Sequence, residues 1–220
     1  MSRRDEDSPH RRRLGRKTKR TILIVGEGRE TEPNYFHGLK QVQSVRDRYA
    51  ATIKRGDGGS RVQIVKEAVN RKRDHGRQYD EAWCVFDTES LGSAEAIKDY
   101  QDAIALAKQN GIRAAVSNPS FEVWLLAHFA RSSRQFLDGD AVIVELNKAW
   151  QRSFRCDYDK SDADVYAKLD HLKEAAIENA RSVREKDHHG KADIAECNSS
   201  TEVHLLVERL LRGDDSQASA

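Results

Sequence analysis

Cysteine is scarce in this chain, and long hydrophobic runs are absent. The 220 residues include three cysteines, Cys84, Cys156 and Cys197, which are far apart, odd in number and without paired metal-ligand spacing. That pattern argues against a disulfide framework or a zinc knuckle and for a reducing compartment. No stretch approaches the roughly twenty apolar residues of a membrane span, and the first segment has no apolar run long enough for a signal peptide. A soluble, unsecreted, cytoplasmic protein is expected. The turn Gly56-Asp57-Gly58-Gly59 has neither the length nor the Lys-Ser/Thr ending of a Walker A loop, so ATP hydrolysis by this chain is not expected. The Ser, His and Cys residues form no nucleophile elbow, and His188-His189, lacking a second pair at metal spacing, reads as a polar loop.

The formal net charge of +2 conceals an asymmetry. Residues 1–20 carry nine Lys or Arg against Asp5, Glu6 and Asp7, leaving the body slightly acidic. The segment has almost no apolar side chains with which to join a core, so 1–20 reads as a disordered basic tail, either simply solvated or contacting nucleic acid. Residues 213–220 read as a second disordered tail.

Between the tails, short apolar runs alternate with amphipathic stretches, the rhythm of a mainly parallel α/β sheet. Strands are expected at Ile22–Val25, Ala51–Lys54, Ala82–Phe86 and Ile112–Val116, the last stopping at Asn118-Pro119. Helices are expected from Thr31 through Val42, after Ser60, and from Ser93 to Asn110 with Gly111 as the stop. From Ser120 onward strand signals disappear. Phe121, Trp124, Leu125, His128 and Phe129 share a helical face, as do Val165, Leu169, Leu172, Ala176, Ala180 and Val183, and a last helix is expected from Thr201 to Leu211. The predicted architecture is a four-stranded, mainly parallel sheet flanked by helices over 21–130, followed by a helical appendage over 131–212.

Two of the strand runs end abruptly in acid: Ile22-Leu23-Ile24-Val25-Gly26-Glu27-Gly28 and Trp83-Cys84-Val85-Phe86-Asp87-Thr88-Glu89. In a parallel sheet both would be buried, with their acids emerging side by side at the carboxyl ends, where open α/β folds place ligands. Residues two apart in extended chain face the same side, so Asp87 and Glu89 can both face one ion. Oxygen-only ligands suit Mg²⁺ or Mn²⁺, which with bound waters clamp a phosphate. The plainer alternative is a set of ordinary loop carboxylates at strand ends. Lys54, Arg55, Arg61 and the basic face of the helix after Ser60 are candidate phosphate-backbone contacts, although such charges usually only keep a helix soluble.

The run ILIVGEGRETEPNYF (22–36), together with VFDTES (85–90), NPSFEVWLLAHF (118–129) and NSSTEVHLLVERL (198–210), resembles the RloB-like proteins. These are small bacterial proteins found with restriction or abortive-infection loci, commonly beside an ATPase partner. Their core resembles the Toprim fold of topoisomerases, primases and OLD-type nucleases. That resemblance implies a Toprim-like sheet, with Glu27 as general acid/base or metal helper and Asp87 as the first metal-binding aspartate. Glu89 stands where a second aspartate is usual, one methylene longer. Glu32 aligns with a second acid of OLD-like sequences, or else serves the helix dipole in the first turn. Glu122, in the family's own Asn118–Glu122 segment, is either a further ligand or a first-turn charge, with Ser120 as a cap.

Two functions of different class follow. One is a divalent-metal-dependent nuclease acting on DNA or RNA in anti-phage defence with an ATPase partner. The other is a non-catalytic interaction or regulatory subunit of such a complex, docking through its helical appendage.

Overall fold

The computed structural model describes residues 18–56, 59–73, 79–88 and 91–213. Its centre is a five-stranded sheet built from β1 (Arg20–Gly26), β2 (Tyr49–Arg55), β3 (Glu81–Asp87), β4 (Arg113–Asn118) and β5 (Ser200–Thr201), in the order β2-β1-β3-β4-β5. The first four strands are parallel and β5 runs antiparallel to β4. The four-strand expectation is therefore one short. A two-residue strand carries no periodicity, and β5 forms because Thr201 and Ser200 pair with Ser117 and Asn118.

β1 and β3 are buried on both sides because alternate residues face different layers. Ile22 and Ile24 of β1 join Trp83 and Val85 of β3 in one apolar cluster, while Leu23 and Val25 join Ala82, Cys84 and Phe86 in the other. Each fully buried aliphatic side chain contributes roughly 1.5–3 kcal/mol. The second cluster is covered by α3 (Arg61–Arg73), through Ile64, Val65 and Ala68, and by α4 (Ala94–Gln109), through Tyr100, Ala103 and Ala107. Ser60 and Gln63 form a reciprocal capping box before α3, with the Gln63 N–H on Ser60 Oγ at 3.4 Å and the Ser60 N–H on Gln63 Oε1 at 2.9 Å. Ser93 caps α4, and Gly111, at φ +59°, follows it in the left-handed conformation expected of a helix stop.

The opposite face carries α1 (Thr31–Leu39), α2 (Gln43–Arg48), α5 (Glu122–Ala127), α6 (Gly139–Phe154), α7 (Val165–Leu169), α8 (Lys173–Ser182) and α9 (Val203–Arg212). α1 ends at Leu39, short of Val42, which instead precedes α2. The stripe expected over 165–183 is divided between α7, one 3-10 turn and α8, and a π turn follows at Val183–Asp187. α6, capped by Asp138 Oδ1 on the Ala141 N–H at 2.8 Å, buries Val142, Leu146, Ala149 and Trp150 on one side. These helices share one apolar cluster with the sheet, since Tyr35, Trp124, Leu146, Trp150, Leu169 and Leu206 belong to it together.

The segment Asn198–Thr201 is a fastener. Asn198 accepts from the Phe136 N–H at 2.9 Å and donates back to the Phe136 carbonyl at 2.6 Å. Ser199 Oγ donates to the Arg134 carbonyl at 2.8 Å, and Thr201 Oγ1 meets Ser117 Oγ at 2.9 Å. The linker into α6 is thereby tied to the sheet edge. At the other end of the sheet, Arg209 of α9 forks onto buried Glu81, with Nε 2.9 Å from Oε2, and Arg20 adds a second cation at 3.1 Å. Arg20, assigned above to the tail, is thus the first residue of β1, whereas 1–17 and 214–220 lie outside the described residues. All three cysteines are free thiols. Among the described residues no helix is long and apolar enough to cross a membrane.

Candidate functional site

The strand order creates a switch point. From β1 the chain passes to β2 on one side and then, through α3, to β3 on the other, so a crevice opens at the carboxyl ends of β1 and β3. Gly26 and Val85 are partners in register, which brings Glu27 and Asp87 side by side just beyond. The Glu27 N–H continues the ladder to the Val85 carbonyl at 2.9 Å, and Glu27 Oε2 accepts from the Asp87 N–H at 3.0 Å. A cleft of about 320 Å³ lies over this edge, lined among others by Glu27, Glu32, Asp87, Ser120, Glu122 and Lys160.

Glycine permits the close packing at the end of β1. A Cβ at Gly28 would lie 1.9 Å from Glu32 Oε2, and one at Gly56 would lie 2.6 Å from the Gly26 carbonyl oxygen. Glu32, in the first turn of α1, is 5 % exposed and reaches back to accept the Gly28 N–H at 3.0 Å. The turn between β1 and α1 is closed by that contact.

The electrostatics are those of buried carboxyls crowded by like charges. Burial, and after it the carboxylates of Glu32, Glu27 and Glu122, pushes Asp87 well above the usual range despite the Phe121 amide nearby. Its Oδ1 is enclosed and has no hydrogen-bond partner. Glu32 is pushed up to about 7, first by burial and then by Glu122 and Glu27, with backbone hydrogen bonds acting the other way. A raised carboxyl contributes stability that is present below its unfolded pKa near 4.5 and lost as pH rises through about 7. Glu32→Gln keeps the acceptor for the Gly28 amide and removes the charge. It should therefore stabilise the metal-free protein by about 1–3 kcal/mol at pH 8, the gain fading toward pH 5. Melting curves of both proteins in EDTA across that range check this; a gain that grows toward acid pH would contradict it.

Glu122 is buried at the start of α5. Ser120 Oγ donates to its Oε2 at 2.8 Å, Tyr158 OH reaches Oε1 at 3.4 Å, and Lys160 Nζ stands 3.6 Å from Oε1. Ser120 thus spends its hydroxyl on Glu122 and not on a helix-end amide. The sequence carries no signal for Tyr158 or Lys160, which arrive from the loop between α6 and α7.

Other candidate residues are placed differently. Glu89 lies outside the described residues. Lys54 and Arg55 end the edge strand β2, in register with Val25 and Gly26 at the end of β1. Arg61, read above as part of a wet helix face, is instead 8 % exposed. Its Nε donates to the Asp87 carbonyl at 2.7 Å and its Nη1 stands 3.6 Å from Asp99, whose carboxylate also accepts the Arg61 N–H at 2.9 Å. Arg61 braces the end of β3. His128 is packed between Tyr35 and Trp124, its Nδ1 donating to the Trp124 carbonyl at 3.0 Å and its Nε2 standing 3.4 Å from Tyr35 OH. His188, expected in a polar loop, is buried.

A family model described as RloB-like protein matches residues 22–210. The chain belongs to the RloB-like family. The match spans all four segments that carry the resemblance, from the strand before Glu27 to helix α9. No curated protein and no solved structure matches this RloB-like chain.

The carboxylates of the cleft, with one buried oxygen unpartnered on Asp87, offer the oxygen ligands that suit a hard cation. Among the described residues no group of three or more His, Cys, Asp or Glu is arranged to hold a metal ion. Mg²⁺ in particular needs only one or two protein carboxylates, the remainder of its shell being water and phosphate oxygen.

Proposed function

We propose that this RloB-like protein is a divalent-metal-dependent nuclease that cleaves phosphodiester bonds of DNA or RNA in anti-phage defence, acting with an ATPase partner. The observation that carries the reading is the gathering of Glu27, Glu32, Asp87 and Glu122 on one cleft at the sheet's switch point, where burial first and mutual repulsion after it raise Glu32 and Asp87. Glu27, Asp87 and Glu89 would hold Mg²⁺ or Mn²⁺, with Glu32 and Glu122 as additional candidates; the ion would supply charge neutralisation at the phosphate and activation of water. The Toprim-like pattern noted in the sequence supports the same roles. Glu27 is oriented by the Asp87 amide, as a general base or shared ligand must be. Glu32, at about 7, is suited to take up or release a proton near neutral pH. Lys54 and Arg55 are candidate backbone contacts, and the basic residues before β1 would strengthen nucleic-acid binding in a salt-dependent way.

The second reading, a non-catalytic subunit recognised by the ATPase, is favoured by the lack of a ready three-ligand cage among the described residues. A gel assay with Mg²⁺ and Mn²⁺ against plasmid, single-stranded DNA and bulk tRNA, with and without the neighbouring ATPase, separates the two. Glu89→Asp restores the usual Toprim pair and is expected to keep or raise the activity. Loss of cleavage in that variant would count against Glu89 as the equivalent of the second Toprim aspartate.

A further inference from the structure

The five carboxylates that line the cleft, Glu27, Glu30, Glu32, Asp87 and Glu122, repel a phosphodiester as strongly as they attract a cation, so a substrate phosphate needs positive charge of its own at the rim. Two cationic residues line the cleft, Arg29 and Lys160. Arg29 lies on the exposed turn between β1 and α1. Lys160 belongs to the loop joining α6 to α7, and that loop is pinned to the site's own elements. Thr31 Oγ1, at the start of α1, donates to the Lys160 carbonyl at 3.2 Å, and Asn34 Nδ2 donates to the Ser161 carbonyl at 3.1 Å. On the other side the Tyr158 N–H is held by Asn147 Oδ1 of α6 at 2.8 Å. Asp159, the acid nearest in sequence, is occupied by Ser161, which donates to it from both N–H and hydroxyl at 2.9 and 2.8 Å.

The backbone of Lys160 is therefore fixed while its side chain is not: it is 56 % exposed, and its ammonium stands 3.6 Å from Glu122 Oε1. Glu122 has other partners in Ser120 and Tyr158, so it does not depend on the lysine for hydrogen bonding. A flexible arm carrying a compact, hydrated point charge on an immobile base suits capture of a phosphate oxygen.

We propose that Lys160 is the phosphate-binding residue of this cleft, held over it by Glu122 and moving to a non-bridging oxygen of the phosphodiester when nucleic acid enters. The assignment rests on the nuclease reading above. It gives the loop between α6 and α7 a part in substrate binding and makes the helical region a wall of the site.

The test uses the full chain and Lys160→Met and Lys160→Arg. Binding of a labelled single-stranded phosphorothioate oligonucleotide is followed by anisotropy over a salt series, beside kcat, KM and melting temperature. Lys160→Met should raise KM and lower kcat/KM about 10- to 100-fold. The slope of log affinity against log salt should shrink by about 0.7, the release expected for one single-strand phosphate contact. Melting should shift little, because exposed ion pairs contribute little to stability, and Lys160→Arg should recover most of the binding. Cleavage by the wild type with an unchanged KM and salt slope in Lys160→Met would overturn the assignment and leave the nuclease reading standing. So would a large fall in melting temperature with unchanged KM, which would make Lys160 a structural partner of Glu122. A wild type that neither binds nor cuts any substrate removes the nuclease reading and this assignment with it.

Discussion

Asp87→Asn is expected to eliminate cleavage, lowering kcat by three orders of magnitude or more, while making the metal-free protein more stable at pH 8. The two effects have one origin. Asp87 ends β3 beside Glu27, with Oδ1 enclosed and unpartnered, and burial together with Glu32, Glu27 and Glu122 raises its carboxyl far above the ordinary range. Ionised Asp87 is therefore a folded-state liability that a bound cation and a substrate phosphate would offset. Asparagine keeps the shape, leaves the backbone contacts of Glu27 and Arg61 at this residue in place, and removes the charge. Substitutions that relieve such repulsion at a functional site commonly stabilise, here by about 1–2 kcal/mol. Plasmid, single-stranded DNA and tRNA cleavage, phage protection in cells, and melting curves in EDTA and in Mn²⁺ measure both effects. Glu27→Gln should also be inactive. If both variants protect cells as well as the wild type with the ATPase present, the non-catalytic reading takes over.

Much of this site is legible in the sequence. The ends of β1 and β3 stand out because a strand buried on both faces is a continuous apolar run, and Glu27 and Asp87 each break one. Two such runs in a parallel sheet bring their terminal acids to one edge, as the register of Gly26 with Val85 does here. Glu122 is visible as an acid directly after β4, but its partners are not. Tyr158 and Lys160 come from 36 and 38 residues farther along, in a loop pinned by hydrogen bonds from Thr31 and Asn34 of α1 and to Asn147 of α6. β5 leaves no local mark because pairing with β4, not its own pattern, makes it a strand. Arg61 misleads for a related reason. It follows the helix-capping Ser60 at a position that is usually wet, and only the packing of α3 against α4 and the end of β3 buries it. Local periodicity reports which face of an element is apolar; it is silent on which polar group a third element will meet.

Arg209→Met should cost about 3–5 kcal/mol, the largest loss of stability expected from any ion pair described above. Glu81 begins β3 and Arg209 lies near the end of α9, so their pairing closes the last helix onto the central strand. Burial opposes ionisation of Glu81, but the hydrogen bonds from Arg209, followed by the charges of Arg209, Arg20 and Arg113, hold its carboxyl below the usual range. Removing the guanidinium leaves a buried carboxylate with Arg20, half in solvent at 47 % side-chain exposure, as its nearest remaining cation. Against a typical total of 5–15 kcal/mol, that is a large fraction of the fold's stability. A lowered carboxyl contributes stability that is present above its unfolded pKa near 4.5 and lost as pH falls through its folded value. The difference between wild type and Arg209→Met should accordingly be full at pH 7 and narrow in acid. The double variant Arg209→Met with Glu81→Met removes both charges and should recover most of the loss, as apolar replacement of a buried pair commonly does. Urea unfolding of the wild type, Arg209→Met, Glu81→Met and the double variant at pH 7 and pH 4 completes the cycle. Glu81 and Asp87 sit at opposite ends of one strand, so cleavage per folded molecule should not change in either variant. A fall in kcat at full occupancy of the folded state would mean that the two ends of β3 are coupled, and that the amino edge of the sheet serves more than stability.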